Sequence, residues 1–171
     1  MSRPIDPVTL RRVMSRFATG VAVVGTPHVD GGVCGLTVNA FASLSLSPPL
    51  ALVCLDRGSN TYGCIQASGL FTASFLADDQ HDLSVRFAEK REDKFEGIPY
   101  RLGENGAPIV EGAVGWVECE VDRHYPGGDH DIFLARVVRG GWRDDGVPLV
   151  FFRGGYTTVA SPVHDEEAPA R

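Results

Sequence analysis

The chain contains no Gly-x-Gly-x-x-Gly, Gly-x-x-x-x-Gly-Lys, Gly-x-Ser-x-Gly or His-Glu-x-x-His segment. The local signatures of Rossmann dinucleotide binding, P-loop phosphate binding, α/β-hydrolase nucleophiles and zinc peptidases are therefore missing, so any nucleotide it handles sits on another scaffold. Basic residues are scarce: 16 Lys and Arg stand against 22 Asp and Glu, a formal charge of −6. No cationic field is available to condense on a phosphate backbone, and nucleic acid is not an expected partner. No apolar run approaches the roughly 18 residues that span a bilayer, and the amino-terminal MSRPIDPVTLRR lacks a signal-peptide core. The expectation is a soluble, cytoplasmic protein. Cysteine is limited to Cys34, Cys54, Cys64 and Cys119, with no Cys-x-x-Cys pair. Such scattered thiols read as reduced, structural side chains that behave as small hydrophobes, and no metal site is expected from them.

Glycine and proline are plentiful by contrast, 20 and 11 among 171 residues, which favours many turns and short strands over a helical bundle. The length suits one domain, expected over residues 1–160, followed by a flexible acidic tail over 161–171. Asp6 and Pro7 open a helix whose apolar stripe runs through Leu10, Val13, Met14 and Phe17 and must pack on something, with Gly20 closing it. A hairpin turning at Asp30-Gly31-Gly32 joins VAVVGT to VCGLTVNAFASLSL, and Pro48-Pro49 separates that run from LALVCLD. A short helix capped by Ser59 or Asn60 and stopped by Gly69 precedes the strand LFTASFLA, and DDQHDLSVRFAEK forms another helix with Leu83 and Phe87 on one face. In AVGWVECEVDRHY, Val117, Cys119 and Val121 alternate with Glu118, Glu120 and Asp122, the period of a strand with one wet face. With IFLARVV and VPLVFF, some six strands and a few short flanking helices predict a mainly β, closed or nearly closed antiparallel barrel, since closure removes exposed edges.

Three stretches carry possible chemistry. From Thr37 to Pro49, small and hydroxyl side chains replace the bulky residues of a barrel strand. Such a stretch either admits a flat ligand close to the backbone or is a polar strand end entering a Ser/Pro turn. Asp56-Arg57-Gly58-Ser59-Asn60-Thr61 lies at a helix start, where unpaired amides suit a phosphate; an ordinary capped helix with a solvated arginine accounts for it equally well. Pro126-Gly127-Gly128-Asp129-His130 is a turn that ends in an acid and an imidazole, either a ligand contact or an exposed pair.

The order of FATGVAVVGT, GLTVNAFASLSLSPPLALVCLD, SNT, SGLFTASFLADDQHDLSVRFA, DKFEGI, GAPIVEGAVGWVECEV, the GDH at 128–130 and PLVFFRGGY resembles the short-chain flavin reductase family. The likeness runs from about Arg12 to Tyr156. It implies the FMN-binding split β-barrel and an NAD(P)H:flavin oxidoreductase that reduces FMN or FAD with NADH or NADPH, typically for a separate flavin-dependent monooxygenase. By the same resemblance Thr37, Asn39, Ala40, Ser43 and Ser45 line the isoalloxazine ring. Asp56, Arg57, Ser59, Asn60 and Thr61 follow the ribityl and phosphate side, and Phe87, Lys94 and Phe95 contribute from the next helix and loop. His130 touches the nicotinamide nucleotide, with Asp129 and Tyr156 nearby. No residue is expected to act as acid, base or nucleophile, because the cofactor carries the chemistry. The family implies a homodimer, to which the first helix, Phe41, Phe151 and Phe152 would supply apolar contacts. A non-catalytic flavin-binding module and a split-barrel FMN oxidase are the competing readings.

Overall fold

A computed structural model describes residues 3–160; the expected tail over 161–171 lies outside the described residues. In chain order the elements are α1 (Pro7–Met14), β1 (Thr19–Gly20), β2 (Ala22–Pro27), β3 (Val33–Val38), β4 (Phe41–Leu46), β5 (Pro49–Asp56), α2 (Asn60–Ser68) and β6 (Leu70–Phe75). A short 3-10 turn, Asp78–Gln80, leads into α3 (His81–Ala88), followed by β7 (Tyr100–Leu102), β8 (Pro108–Val110), β9 (Gly115–Gly127), β10 (His130–Trp142), β11 (Leu149–Phe152) and β12 (Gly155–Thr158).

Seven strands form one antiparallel sheet in the order β3-β2-β6-β9-β10-β5-β4. Strands β3 and β4 are consecutive in the chain yet occupy opposite ends of that order, and only Asn39 and Ala40 separate them. The three steps from Val38 to Phe41 span at most about 11 Å, so the sheet must curl until its two edges nearly meet. The edges do not pair, which leaves the barrel split. The sequence pattern suggested one continuous strand through VCGLTVNAFASLSL; the chain instead crosses from one rim to the other at Asn39-Ala40. A three-stranded sheet, β1-β11-β12, and the hairpin β7-β8 flank the barrel, so VPLVFF belongs to this smaller sheet rather than to the barrel wall.

Alternation along β2 divides the interior in two. Ala22 and Val24 join Val53, Leu55, Ile65, Phe71, Cys119 and Phe133 in one cluster. Val21, just before the strand, and Val23 point the other way, toward Leu76, Phe87, Val110 and Leu149. The local end signals hold. Asp6 accepts hydrogen bonds from the Val8 and Thr9 amides at 3.0 Å each, the Ser59 hydroxyl accepts from Tyr62 N–H at 3.2 Å, and Gly69 closes α2 in the left-handed region at φ 66°.

Three expectations fail for long-range reasons. Glu118 is 2 % exposed rather than wet, because the loop between β7 and β8 lies over that face and the Asn105 amide donates to Glu118 Oε2 at 2.9 Å. Cys34 and Cys64 are joined in a disulfide rather than standing as separate thiols, leaving Cys54 and Cys119 free. Helix α1 ends at Met14, well short of Gly20, and buries none of its residues, so its apolar stripe finds no partner within the described residues.

Phe71 is fully buried in the barrel cluster. Phe71→Ala is expected to lower unfolding free energy by about 3–5 kcal/mol, read by urea denaturation monitored with far-ultraviolet circular dichroism.

Candidate functional site

The turn from Asp56 to Ser59 is built by its own polar groups. Asp56 Oδ1 accepts from Gly58 N–H at 2.8 Å, and the Ser59 hydroxyl donates to Asp56 O at 2.9 Å. This turn delivers the chain to the N-terminus of α2, where first-turn amides have no intrahelical acceptor and carry partial positive charge. Asp56, Gly58, Ser59, Asn60 and Thr61 form one wall of a cleft of about 900 Å³. Strand β3 from Val33 to Thr37 forms a second wall, and the segment from Phe87 to Phe95 a third.

The floor of this cleft is aromatic. Phe87 and Phe95 meet edge to face with centroids 4.7 Å apart, directly behind Gly35, where an added Cβ would come within 2.8 Å of Phe95 and 2.9 Å of Phe87. Only glycine fits there. Thr37 donates its hydroxyl hydrogen to Ser84 O at 2.7 Å and so ties β3 to α3. Past the end of α3, Arg86 Nη2 donates to Asp93 O and Glu96 O at 2.8 and 2.6 Å, and Lys94 Nζ donates to Phe87 O at 2.9 Å. These bonds fix a loop that places Lys90, Arg91 and Lys94 on the cleft. Burial lowers the Lys94 pKa from its ordinary value.

The hairpin joining β9 to β10 stands at the lip of this cleft. His130 pairs in register with Asp56 across β10 and β5, and Arg57 N–H donates to Asp129 O at 3.2 Å. Asp129 Oδ1 lies 2.8 Å from His130 Nδ1, a contact that lowers the Asp129 pKa first by hydrogen bonding and then by charge. Asp56, Ser59, Asn60, Thr61, Phe87, Lys94, Phe95 and Thr37 therefore share one cleft, with Asp129 and His130 beside it.

Other expected residues lie elsewhere. Arg57 does not line the cleft: its guanidinium is engaged by Asp131, with Nε to Oδ1 at 2.6 Å. Asn39, Ala40 and Ser43 are exposed and Ser45 half-buried on the rim strand β4 and the link before it. They lie outside the 900 Å³ cleft, although Ala40 O accepts from Cys54 N–H at 2.9 Å. Tyr156, on β12, packs on α3 rather than on the Asp129-His130 turn, accepting from the Ser84 hydroxyl at 2.9 Å and stacking edge-on with His81 at 4.7 Å. Phe87 is wholly buried and supports the floor from beneath. The sequence reading missed His28, Gly35, Lys90 and Arg91, all of which line the cleft. Lys90 and Arg91 precede the recognised Lys94-Phe95 pair in the chain, the one signal that pointed to them.

Arg57 has a different task. The Asp131 side chain is 5 % exposed and accepts from the Tyr62 hydroxyl at 2.7 Å as well as from Arg57, while His124 Nε2 lies 3.8 Å away. The Tyr62 hydrogen bond, and after it the Arg57 guanidinium, hold the Asp131 carboxyl below its usual range.

The composition of the cleft suits a flavin nucleotide. Its volume lies in the range of small-molecule sites, an aromatic pair backs it, and a helix N-terminus with basic side chains nearby suits a phosphorylated arm. Comparison with known proteins agrees. Residues 14–160 match the model of the flavin reductase like domain. The chain belongs to the flavin reductase-like family. It is 40% identical over 157 residues to a flavin reductase of Pseudomonas putida, covering 92% of both chains. It is likewise 40% identical to HsaB, the reductase subunit of a flavin-dependent monooxygenase of Mycobacterium tuberculosis, covering 96% of this chain and 90% of that one. Among solved structures, the NADH:FAD oxidoreductase SgcE6 of Streptomyces globisporus, in complex with NAD and FAD fragments, superposes with a TM-score of 0.87 at 35% identity, covering 95% of this chain and all of that one.

Asp131 provides a test of this scaffold. A carboxyl whose folded pKa is depressed stabilises the fold above its unfolded value, near 4, and that contribution disappears as pH falls through the folded value. The stability gap between wild type and Asp131→Asn is therefore expected to be constant from about pH 5 to 7 and to narrow in acid below about pH 4, measured by thermal melts across that range.

Proposed function

We propose that this chain takes a hydride from NADH or NADPH and delivers it to FMN or FAD, supplying reduced flavin to a separate flavin-dependent monooxygenase. The observation that carries the reading is the register of β10 on β5, which sets His130 beside Asp56, so that a nicotinamide-facing hairpin adjoins a phosphate-binding turn. When bound, flavin supplies the ring atom that accepts the hydride and the conjugation that spreads the resulting charge.

The residues position and shield. The α2 N-terminus at Ser59, Asn60 and Thr61 receives the phosphate, with Lys90 and Lys94 adding countercharge, while Arg91 is held by Asp93. Asp56 shapes the turn rather than meeting the anion, since its carboxylate is occupied by the Gly58 amide. Asn39, Ala40, Ser43 and Ser45 offer side-chain and backbone donors along the rim, where negative charge on a reduced pyrimidine edge needs them, while Thr37, its hydroxyl donating to Ser84 O, holds β3 against α3. Asp129 orients the His130 ring toward the nicotinamide nucleotide. Arg57, bound to Asp131, is a positioning residue that locks the turn to the hairpin, and Tyr156 holds α3 through Ser84. Hydride transfer requires the two rings in contact at about 3–3.5 Å with water excluded, and no protein nucleophile takes part.

A second copy of the chain completes this picture. The rim that carries Asn39, Ala40 and Ser43 is open, and exposed apolar groups surround the barrel: Leu46 at 83 %, Trp142 at 80 % and Phe17 at 71 %, together with the unburied stripe of α1. Phe41 is not among them, because it packs on Phe75 with centroids 5.4 Å apart, and Phe151 and Phe152 are half-buried. A homodimer covers the open rim and gives the α1 stripe a partner. No helix of the described residues is long and apolar enough to cross a membrane, and a cytoplasmic setting supplies both nucleotides.

Two measurements test the reading. Protein mixed with NADH or NADPH and FMN or FAD oxidises the nicotinamide well above the uncatalysed rate, and His130→Ala raises KM for the nicotinamide nucleotide by about tenfold while changing KM for flavin less than threefold; no oxidation with any pairing refutes the function. Light scattering coupled to gel filtration gives twice the chain mass for wild type and shifts toward the single-chain mass for Leu46→Asp.

A further inference from the structure

One group on the cleft wall has no part in hydride transfer. Cys34 on β3 and Cys64 on α2 are linked, with Cα atoms 6.6 Å apart, inside the span a disulfide requires. Both line the 900 Å³ cleft, as does His28, and a ring nitrogen of His28 lies within 4.8 Å of both sulfurs. The remaining cysteines differ in kind. Cys119 is fully buried, which pushes its thiol up to about 12, and burial also raises Cys54.

We propose that Cys34, Cys64 and His28 form a hydroperoxide-sensitive modification site in the cleft wall, in which Cys34 is the thiol that attacks the peroxide and Cys64 the resolving one. Cys34 is half-buried and Cys64 is 8 % exposed, so a small oxidant arriving through the cleft meets Cys34 first. In a reducing compartment the pair rests as two thiols. His28 accepts the Cys34 proton, and the thiolate attacks hydrogen peroxide. The O–O bond breaks, Cys34 becomes a sulfenic acid, and the departing hydroxide takes the proton back from His28 to leave as water. The Cys64 thiol then displaces the sulfenic oxygen, which departs as a second water as the S–S bond forms. Two thiols have lost two electrons and two protons, and one peroxide has become two waters.

The enzyme's own turnover supplies the oxidant. Reduced flavin that meets dioxygen before a monooxygenase passes it two electrons and two protons, giving oxidised flavin and hydrogen peroxide. A peroxide-written crosslink between β3 and α2, the two walls facing the flavin, records uncoupled turnover at the place where it arises.

The test adds hydrogen peroxide directly to fully reduced protein, so it stands independently of flavin turnover. Thiols are alkylated at intervals and mapped by peptide mass spectrometry. Wild type is expected to lose two of four thiols, yield a linked Cys34–Cys64 peptide, and regain both thiols with a dithiol reductant, while Cys54 and Cys119 react at least about tenfold more slowly. Cys64→Ser traps Cys34 as a sulfenic acid that a dimedone probe captures, and His28→Ala slows loss of Cys34 by about tenfold. Equal loss of all four thiols in wild type, a crosslink involving Cys54 or Cys119, no dimedone adduct on Cys34 in Cys64→Ser, or an unchanged rate in His28→Ala overturns the proposal. The wild-type map needs no variant to fold.

Discussion

The two-residue bridge of Asn39 and Ala40 is the constraint on which the rest of the molecule depends. It joins strands at opposite ends of a seven-stranded order, so the sheet has no flat solution and must wrap. Wrapping gives the barrel an interior for Phe71, Phe133 and Ile65. It also leaves a seam whose polar backbone is not consumed by pairing. A fully closed barrel would spend those amides on its own ladder, whereas a split one keeps them for a ligand.

The site follows from the same geometry. β5, one strand in from the seam, ends in the Asp56 turn, while β10, its neighbour, begins at His130. The turn that follows Asp56 and the turn that precedes His130 thus lie at the same end of one antiparallel pair and need no mobile lid to meet. The aromatic floor comes from outside the barrel, through α3 and its following loop. It is secured by Thr37 donating to Ser84 O and by Lys94 donating to Phe87 O.

Much of this was legible because the signals are local. Caps at Asp6, Ser59 and Gly69, the turn at Asp30-Gly31-Gly32, and the strand alternations depend on neighbours within a few residues, and the Asp56 turn and GDH hairpin are short segments in a fixed order. What stayed hidden required partners distant in sequence. Glu118 reads as wet until the β7–β8 loop covers it. Arg57 reads as a free cation until Asp131, 74 residues on, claims it. Cys34 and Cys64, 30 residues apart with no motif between them, read as separate thiols. The break at Asn39-Ala40 escapes because both flanks have strand-like composition and only the sheet order distinguishes them.

The buried Asp131 carboxylate draws Arg57 from the β5–α2 turn, Tyr62 from α2 and His124 from β9. A charge so thoroughly desolvated tolerates the loss of a partner poorly, so these segments cannot vary one at a time. A change to the β9–β10 hairpin that reaches Asp131 therefore has to be matched at Arg57 and Tyr62.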